Sequence, residues 1–264
     1  MSTLVTSLLQ GGKVANRFND YIESLSKIIK TNIPIVLFVD SKTKHLFVPN
    51  ENLKIYDFDL SLEFPYLDLV SNLITHSSFL DSADWVRGSS QAKYPTHNHI
   101  IMSKPYMVRK AIKLNPFNSE KFVWYDAGIL KNRPDFGMGE LEFKKEELTY
   151  LFNLFTKKDL YFMSTSYPPK SPEIHGFRRE GILKVLKEFP NYVCRGGNFG
   201  GGSKPLIEFT KKYDKLLKNT LEMGYMGTEE TIFTLLHSQE PQLYKNYLFN
   251  SYNEIYNSIY NQSI

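Results

Sequence analysis

Two runs of this chain are apolar on consecutive residues and then stop at an acid: IPIVLFVD at 33–40 and FVWYDAGIL at 122–130, which reach Asp40 and Asp126. A strand that is apolar on both faces has no side for water, so each run must lie in a sheet covered above and below. TLVTSLL at 3–9 has the same character and is closed by Gly11 and Gly12, whereas LKIYDFD at 53–59 alternates and reads as a strand with one wetter face. Between the first two runs Val14, Phe18, Tyr21, Ile22, Leu25, Ile28 and Ile29 recur at helical spacing, which predicts an amphipathic helix over 14–30. Strands alternating with helices predict an α/β fold, a mostly parallel Rossmann-like sheet flanked by helices, finished by a smaller mixed C-terminal half. Such sheets bind ligands outside the carboxyl ends of their strands. Thr6, Asp40 and Asp126 are the residues expected at that edge.

The remaining segments follow local signals. FPYLDLVSNLI at 64–74 reads as a helix after Pro65, 77–100 as a long connection with a few helical turns, and 103–114 as a helix with Ser103 as N-cap and Pro105 in its first turn. A Gly/Pro-rich loop is expected over 131–140, a helix over 144–156 and a strand over 159–164. Pro168, Pro169, Pro172 and Gly176 predict a mobile loop around His175, lying over the site across 165–180. Helices are expected at 179–189, 205–222 and 228–238. The domain is read as 1–240, with the Tyr/Asn-rich segment 241–264 as a helical tail.

Composition narrows the function. Lys and Arg exceed Asp and Glu by 32 to 28, and a net charge of +4 is too small for a nucleic-acid surface. It leaves room for a local basic cleft facing a phosphorylated ligand. The one cysteine, Cys194, permits no intrachain disulfide and reads as a buried structural thiol. The N-terminal apolar run has no basic residue before it and reads as a strand, not a signal peptide. No run approaches the roughly 18 apolar residues of a membrane span. A cytoplasmic protein is expected.

Three stretches carry candidate chemistry. Asp126, with Ala127 and Gly128 behind it, either opens a turn or holds a hard divalent ion such as Mn²⁺ or Mg²⁺ against a diphosphate. RGGNFGGGSK at 195–204 holds five glycines between a strand and a helix, a turn suited to offering N–H groups to phosphate or sugar oxygens, though it lacks P-loop spacing. In GTEETIF at 227–233, Thr228 caps a helix and Glu229 and Glu230 fall in its first turn. The dipole favours acids there, and either glutamate is alternatively a general base or acceptor-binding acid. The histidines form no H-E-x-x-H pattern, and THNH at 96–99 reads as a solvated loop. Arg87, Lys104, Arg178 and Arg179 are candidate phosphate partners.

Together, TLVTSLL, IPIVLFVD, SKPYMVRKAIKLNPF, FVWYDAGIL, RGGNFGGGSKPLIEF and GTEETIF resemble the HtrL/YibB family over about residues 3–238. That family is similar to nucleotide-sugar glycosyltransferases of the GT-A fold. The resemblance implies transfer of a sugar, hexosyltransferase type, from a nucleotide-diphosphate sugar donor to a glycan or other hydroxyl acceptor, assisted by Mn²⁺ or Mg²⁺. It carries the metal and donor diphosphate to Asp126, with Gly128 where a second acid stands in those enzymes. Thr6 is then expected beside the nucleotide, and Arg87 or Lys104 beside the diphosphate. Asn198, Gly200 and Gly201 are expected around the sugar in a turn facing the same cleft as Asp126, with catalysis at Asp126, Glu229 and Glu230. The competing expectation is a catalytically reduced nucleotide-sugar or carbohydrate-binding protein of the same fold.

Overall fold

The computed structural model describes residues 1–11, 15–132, 145–154, 156–250 and 254. Its main sheet has seven strands: β1 (Ser2–Leu8), β2 (Ile35–Val39), β3 (Leu53–Asp57), β4 (Lys121–Tyr125), β5 (Leu160–Ser166), β8 (Tyr192–Gly202) and β9 (Lys245–Phe249). A small hairpin supplies β6 (Glu173–Ile174) and β7 (Phe177–Arg178). The spatial order is β3-β2-β1-β4-β8-β5-β9. Neighbours run parallel except at β8, which is antiparallel to both β4 and β5.

The helices are α1 (Ala15–Ile29), α2 (Leu60–Glu63), α3 (Leu67–Ile74), α4 (Ser77–Leu80), α5 (Ser90–Lys93), α6 (Pro95–Met102), α7 (Lys104–Leu114), α8 (Lys145–Asn153), α9 (Arg179–Val185), α10 (Ser203–Glu222) and α11 (Glu229–Gln239). Strand alternation divides the core into two layers. Val5, Phe38, Trp124 and Phe162 pack with Met107, Phe209 and Phe233 from α7, α10 and α11. Leu4, Leu37, Val123 and Tyr125 pack on the other face with Leu25 and Ile28 of α1 and Leu148 and Leu151 of α8. Burial on both faces is why β2 is apolar at every position and β4 at every position after Lys121.

Four expectations meet a different outcome, the first being THNH at 96–99, which lies in α6 with Asn98 and His99 buried and not in a solvated loop. The glycine-rich stretch is not a turn: all of 192–202 is strand β8 inside the sheet. Cβ atoms at Gly200 or Gly201 would crowd the backbone of β4 or β5, so these glycines permit close strand approach. Segment 165–180 is not one open loop, because it contains the β6–β7 hairpin with Ile174 and Phe177 buried. The tail contributes strand β9, paired with β5 through Tyr161↔Lys245 to Thr165↔Phe249, where a helix was expected. The expected loop over 131–140 lies outside the described residues from 133 onward, as does the tail beyond 250 except Glu254.

Candidate active site

The strands β1, β2, β3 and β4 all end at one edge. Because β8 runs the other way, its first half returns to that edge, and the Asp126 N–H donates to the Gly197 carbonyl at 3.0 Å. This places Arg195 and Gly196 beside Asp126. Helix α7 delivers Lys104 to the same point, and α11 brings Glu229 and Glu230.

Lys104 is the hub. Its ammonium lies 2.9 Å from Asp126 Oδ1 and 2.7 Å from Glu229 Oε1, and it donates to the Gly196 carbonyl at 3.0 Å. The Trp124 indole N–H donates to Asp126 Oδ1 at 2.7 Å. Burial alone would depress the Lys104 pKa, but the Asp126 and Glu229 carboxylates outweigh it and hold the ammonium charged well above its ordinary range. Gly196 is required here, since any Cβ at that position would overlap the Glu229 carboxylate.

The two glutamates are adjacent but differently held. Glu229 is 3% exposed, and its Oε2 has no hydrogen-bond partner among the described residues. Burial pushes its carboxyl up to about 7 while Lys104 pulls the other way. Burial acts on Glu230 in the same sense, yet His175 and Arg195 outweigh it and keep Glu230 ionised, down to about 2. Its Oε2 lies 2.9 Å from His175 Nδ1 and 3.1 Å from Arg195, and Oε1 accepts the Gly196 N–H at 2.8 Å. The two adjacent carboxyl groups are thus pushed in opposite directions by their surroundings.

These groups line a cleft of about 540 Å³ with Trp85, Tyr167 and His175 at its rim. A narrow passage by Ser7, His97, Ile101, Lys104 and Asp126 leads from it toward a second hollow of about 550 Å³. Leu9, Asp40, Asp57, Asp59 and Ile100 line that hollow, and Leu9 and Ile100 also line the passage. Asp40 closes the turn after β2, accepting the N–H groups of Gln10, Lys42 and Thr43.

Lys104, Asp126, Glu229 and Glu230 are thus brought together, and other candidates are not. Thr6 is fully buried within β1, because the strand continues to Leu8 and leaves Ser7 and Leu9 at the edge. Arg87 is exposed and paired with Asp81. Arg178 donates to the Ser77 and Ser78 carbonyls of α4, and Arg179 to the carbonyls of Pro169 and Ser171. The Asn198 side chain turns to the opposite face of the sheet, where its Oδ1 accepts the Tyr161 hydroxyl at 2.7 Å. Gly200 and Gly201 pair with Val123 and Phe122, toward the far end of β4. Gly128 lies just past Asp126, and a Cβ there would strike the Tyr21 ring of α1, so no second acid fits at that position.

Sequence reasoning missed Arg195, Trp85, Tyr167 and Glu173. Each is an ordinary residue of its own segment, and only tertiary pairing reveals it.

The sheet order, with a charged cleft at its carboxyl edge, defines a GT-A-like glycosyltransferase fold. A family model described as "Bacterial protein of unknown function (HtrL_YibB)" matches residues 16–253, and the chain belongs to this family. Among solved structures it is similar to core-mannan synthase A (CmsA/Ktr4) from Aspergillus fumigatus in its Mn/GDP form. That match has a TM-score of 0.52 at 9% identity, covering 94% of this chain and 72% of that one. Mouse xyloside xylosyltransferase 1, apo form, matches with a TM-score of 0.43 at 9% identity, covering 94% of this chain and 85% of that one. No curated protein matches the sequence. No helix among the described residues is long and apolar enough to cross a membrane.

Proposed function

We propose that this protein is a glycosyltransferase of hexosyltransferase type, moving a sugar from a nucleotide-diphosphate sugar to a hydroxyl of a glycan or similar acceptor. The carrying observation is a row of three hollows along the carboxyl edge that share lining residues, Leu9 and Ile100 between the first two and His97, Ile101, Lys104 and Asp126 between the last two. It runs from the ends of β1, β2 and β3, past Lys104 and Asp126, to Glu229 and Glu230. The nucleoside is assigned to the Asp40–Asp57 hollow, the diphosphate to the passage and the sugars to the cleft beyond, the usual use of such an edge.

Glu229 is the group suited to accept a proton from the acceptor hydroxyl, since a base works best with a pKa near the working pH. Glu230 is too firmly ionised for that task and instead orients His175 and Arg195. Lys104 has its donors on protein acceptors, so it acts on the leaving diphosphate by charge in a low-dielectric passage.

A resident Mn²⁺ or Mg²⁺ on Asp126 does not fit the described residues. The Lys104 ammonium already sits against this carboxylate, Tyr21 fills the space behind Gly128, and no group of three potential ligands exists among the described residues. A divalent ion would supply charge neutralisation to the diphosphate; no step here is routed through one. The Gly at 128 favours a second reading, a binding protein that holds nucleotide sugars without turning them over. Donor hydrolysis and transfer assays over a panel of UDP-, GDP-, CMP- and dTDP-sugars separate the two. Glu229→Gln should abolish turnover while keeping nucleotide binding if the first reading holds. Tight binding with no turnover by the wild type would leave only the second.

A further inference from the structure

One buried acid has no part in the chemistry so far. Glu173, in β6, is 4% exposed, yet it forms no salt bridge with a cation among the described residues. Its Oε1 accepts the Trp85 indole N–H at 3.3 Å and the Tyr167 hydroxyl at 3.1 Å, and its Oε2 accepts the Gly176 N–H at 2.7 Å. Burying a carboxylate is costly unless its hydrogen bonds are made. Here they are made by two aromatic side chains that both rim the Glu229 cleft. Trp85 remains 43% exposed, a large apolar surface fixed by its edge and open to the cleft. His175, on the same hairpin, has a left-handed backbone at φ 49°, followed by Gly176 at φ 91°, so the turn geometry is specified. Glu229, which lines the same cleft, has a buried Oε2 with no hydrogen-bond partner among the described residues.

We infer that Trp85 and Tyr167, positioned by Glu173, form a subsite for the pyranose ring of the acceptor. The electron-rich face of an aromatic ring attracts the electropositive C–H face of a neutral sugar. A hydroxyl of that sugar is thereby held toward Glu229, the proposed base that removes its proton. A nucleobase would stack equally well, but only a sugar brings the hydroxyl on which the proposed base acts. The Asp40–Asp57 hollow also provides a separate place for the nucleoside. Naming the pyranoside as the acceptor rests on the transferase reading above.

The chain has two tryptophans, Trp85 at 43% exposure and Trp124 at 2%, so acrylamide quenching of the wild type reads mainly Trp85. Methyl glycosides of glucose, galactose and mannose serve as probes, with sorbitol as a ringless control. Covering one indole face should lower the quenching constant about twofold. Sorbitol should leave it unchanged, and Trp85→Phe should remove the effect. In transfer assays Trp85→Ala should raise the acceptor KM about tenfold, the equivalent of one stacking contact, with kcat little changed. Glu173→Gln should raise KM in the same direction through the loosened rings. Protection by nucleotide sugars alone would overturn the assignment to acceptor. So would no protection by any glycoside, or equal protection by sorbitol. Nucleotide diphosphate binding, followed separately by calorimetry, tests the transferase reading: its absence sinks that reading whatever Trp85 reports.

Discussion

Replacing Lys104 with methionine removes one charge and keeps most of the volume. What it leaves is severe: Asp126 and Glu229 lose an ammonium at 2.9 and 2.7 Å, and the Gly196 carbonyl loses its donor. Glu229, at 3% exposure, then has no partner for either oxygen among the described residues. Breaking a buried pair by deleting one member costs about 3–5 kcal/mol. For a chain of this length each kcal/mol moves the melting temperature by about 3 °C, so Lys104→Met should melt roughly 9–15 °C lower at pH 8. Glu229 has an escape, because a carboxyl that loses its cation takes up a proton, each pH unit on the acid side being worth about 1.4 kcal/mol. The deficit should therefore shrink between pH 8 and pH 5. It should shrink again at pH 8 in the double variant Lys104→Met/Glu229→Gln, where position 229 no longer carries a charge. Scanning calorimetry at the two pH values reads all of this. A loss below about 3 °C at pH 8, or no recovery in acid or in the double variant, would falsify the picture of Lys104 as the cation that keeps Glu229 in place.

Further outcomes follow from the same geometry. Glu229 has a folded pKa raised from 4.5 to about 7, so its contribution to stability is fully present below 4.5 and is lost as pH rises through 7. Glu229→Gln should flatten wild-type stability over that window, and a parallel curve for both proteins would show that this carboxyl does not titrate there. Transfer activity should rise with pH as Glu229 ionises, and the glutamine variant should lose about 10²–10⁴-fold in kcat; an unchanged pH–rate profile would remove Glu229 as the base. Gly196→Ala must push the Glu229 carboxylate aside and should cost about 1–3 kcal/mol together with most of the activity; chemical denaturation and a transfer assay check both. With Lys104 as the fixed cation, nucleotide diphosphate affinity in EDTA should stay within about threefold of that in Mn²⁺, and a drop of more than tenfold would restore a metal to the site.

The fold was legible where burial on both faces leaves a mark. IPIVLFV and FVWY had to be inner strands, and Asp126 had to stand just beyond one of them. Glu229 and Glu230 were legible as helix-start acids, but their opposite environments were not. Those come from Lys104, His175 and Arg195, which reach them from three other segments. The glycines of β8 misled because composition does not distinguish a turn that needs freedom from a strand that needs room. Thr6 was misplaced by two residues, enough to turn an edge position into a core one. Glu173 gave no signal at all: a lone acid in a Pro-rich stretch looks solvated until its hairpin closes under Trp85.

Strand β9 alters where this molecule can be shortened. It covers the outer side of β5, whose residues Tyr161, Phe162 and Met163 are buried, and Lys245 adds an ion pair to Asp159 at 2.7 Å. A chain ended at residue 240 would still hold Asp126, Lys104 and both glutamates. Its β5 would become an open rim of unsatisfied amides and carbonyls beside aromatic side chains, a template for another molecule's strand. Self-association, rather than damage to the Lys104–Glu229 cluster, is then the route by which such a shortened protein fails.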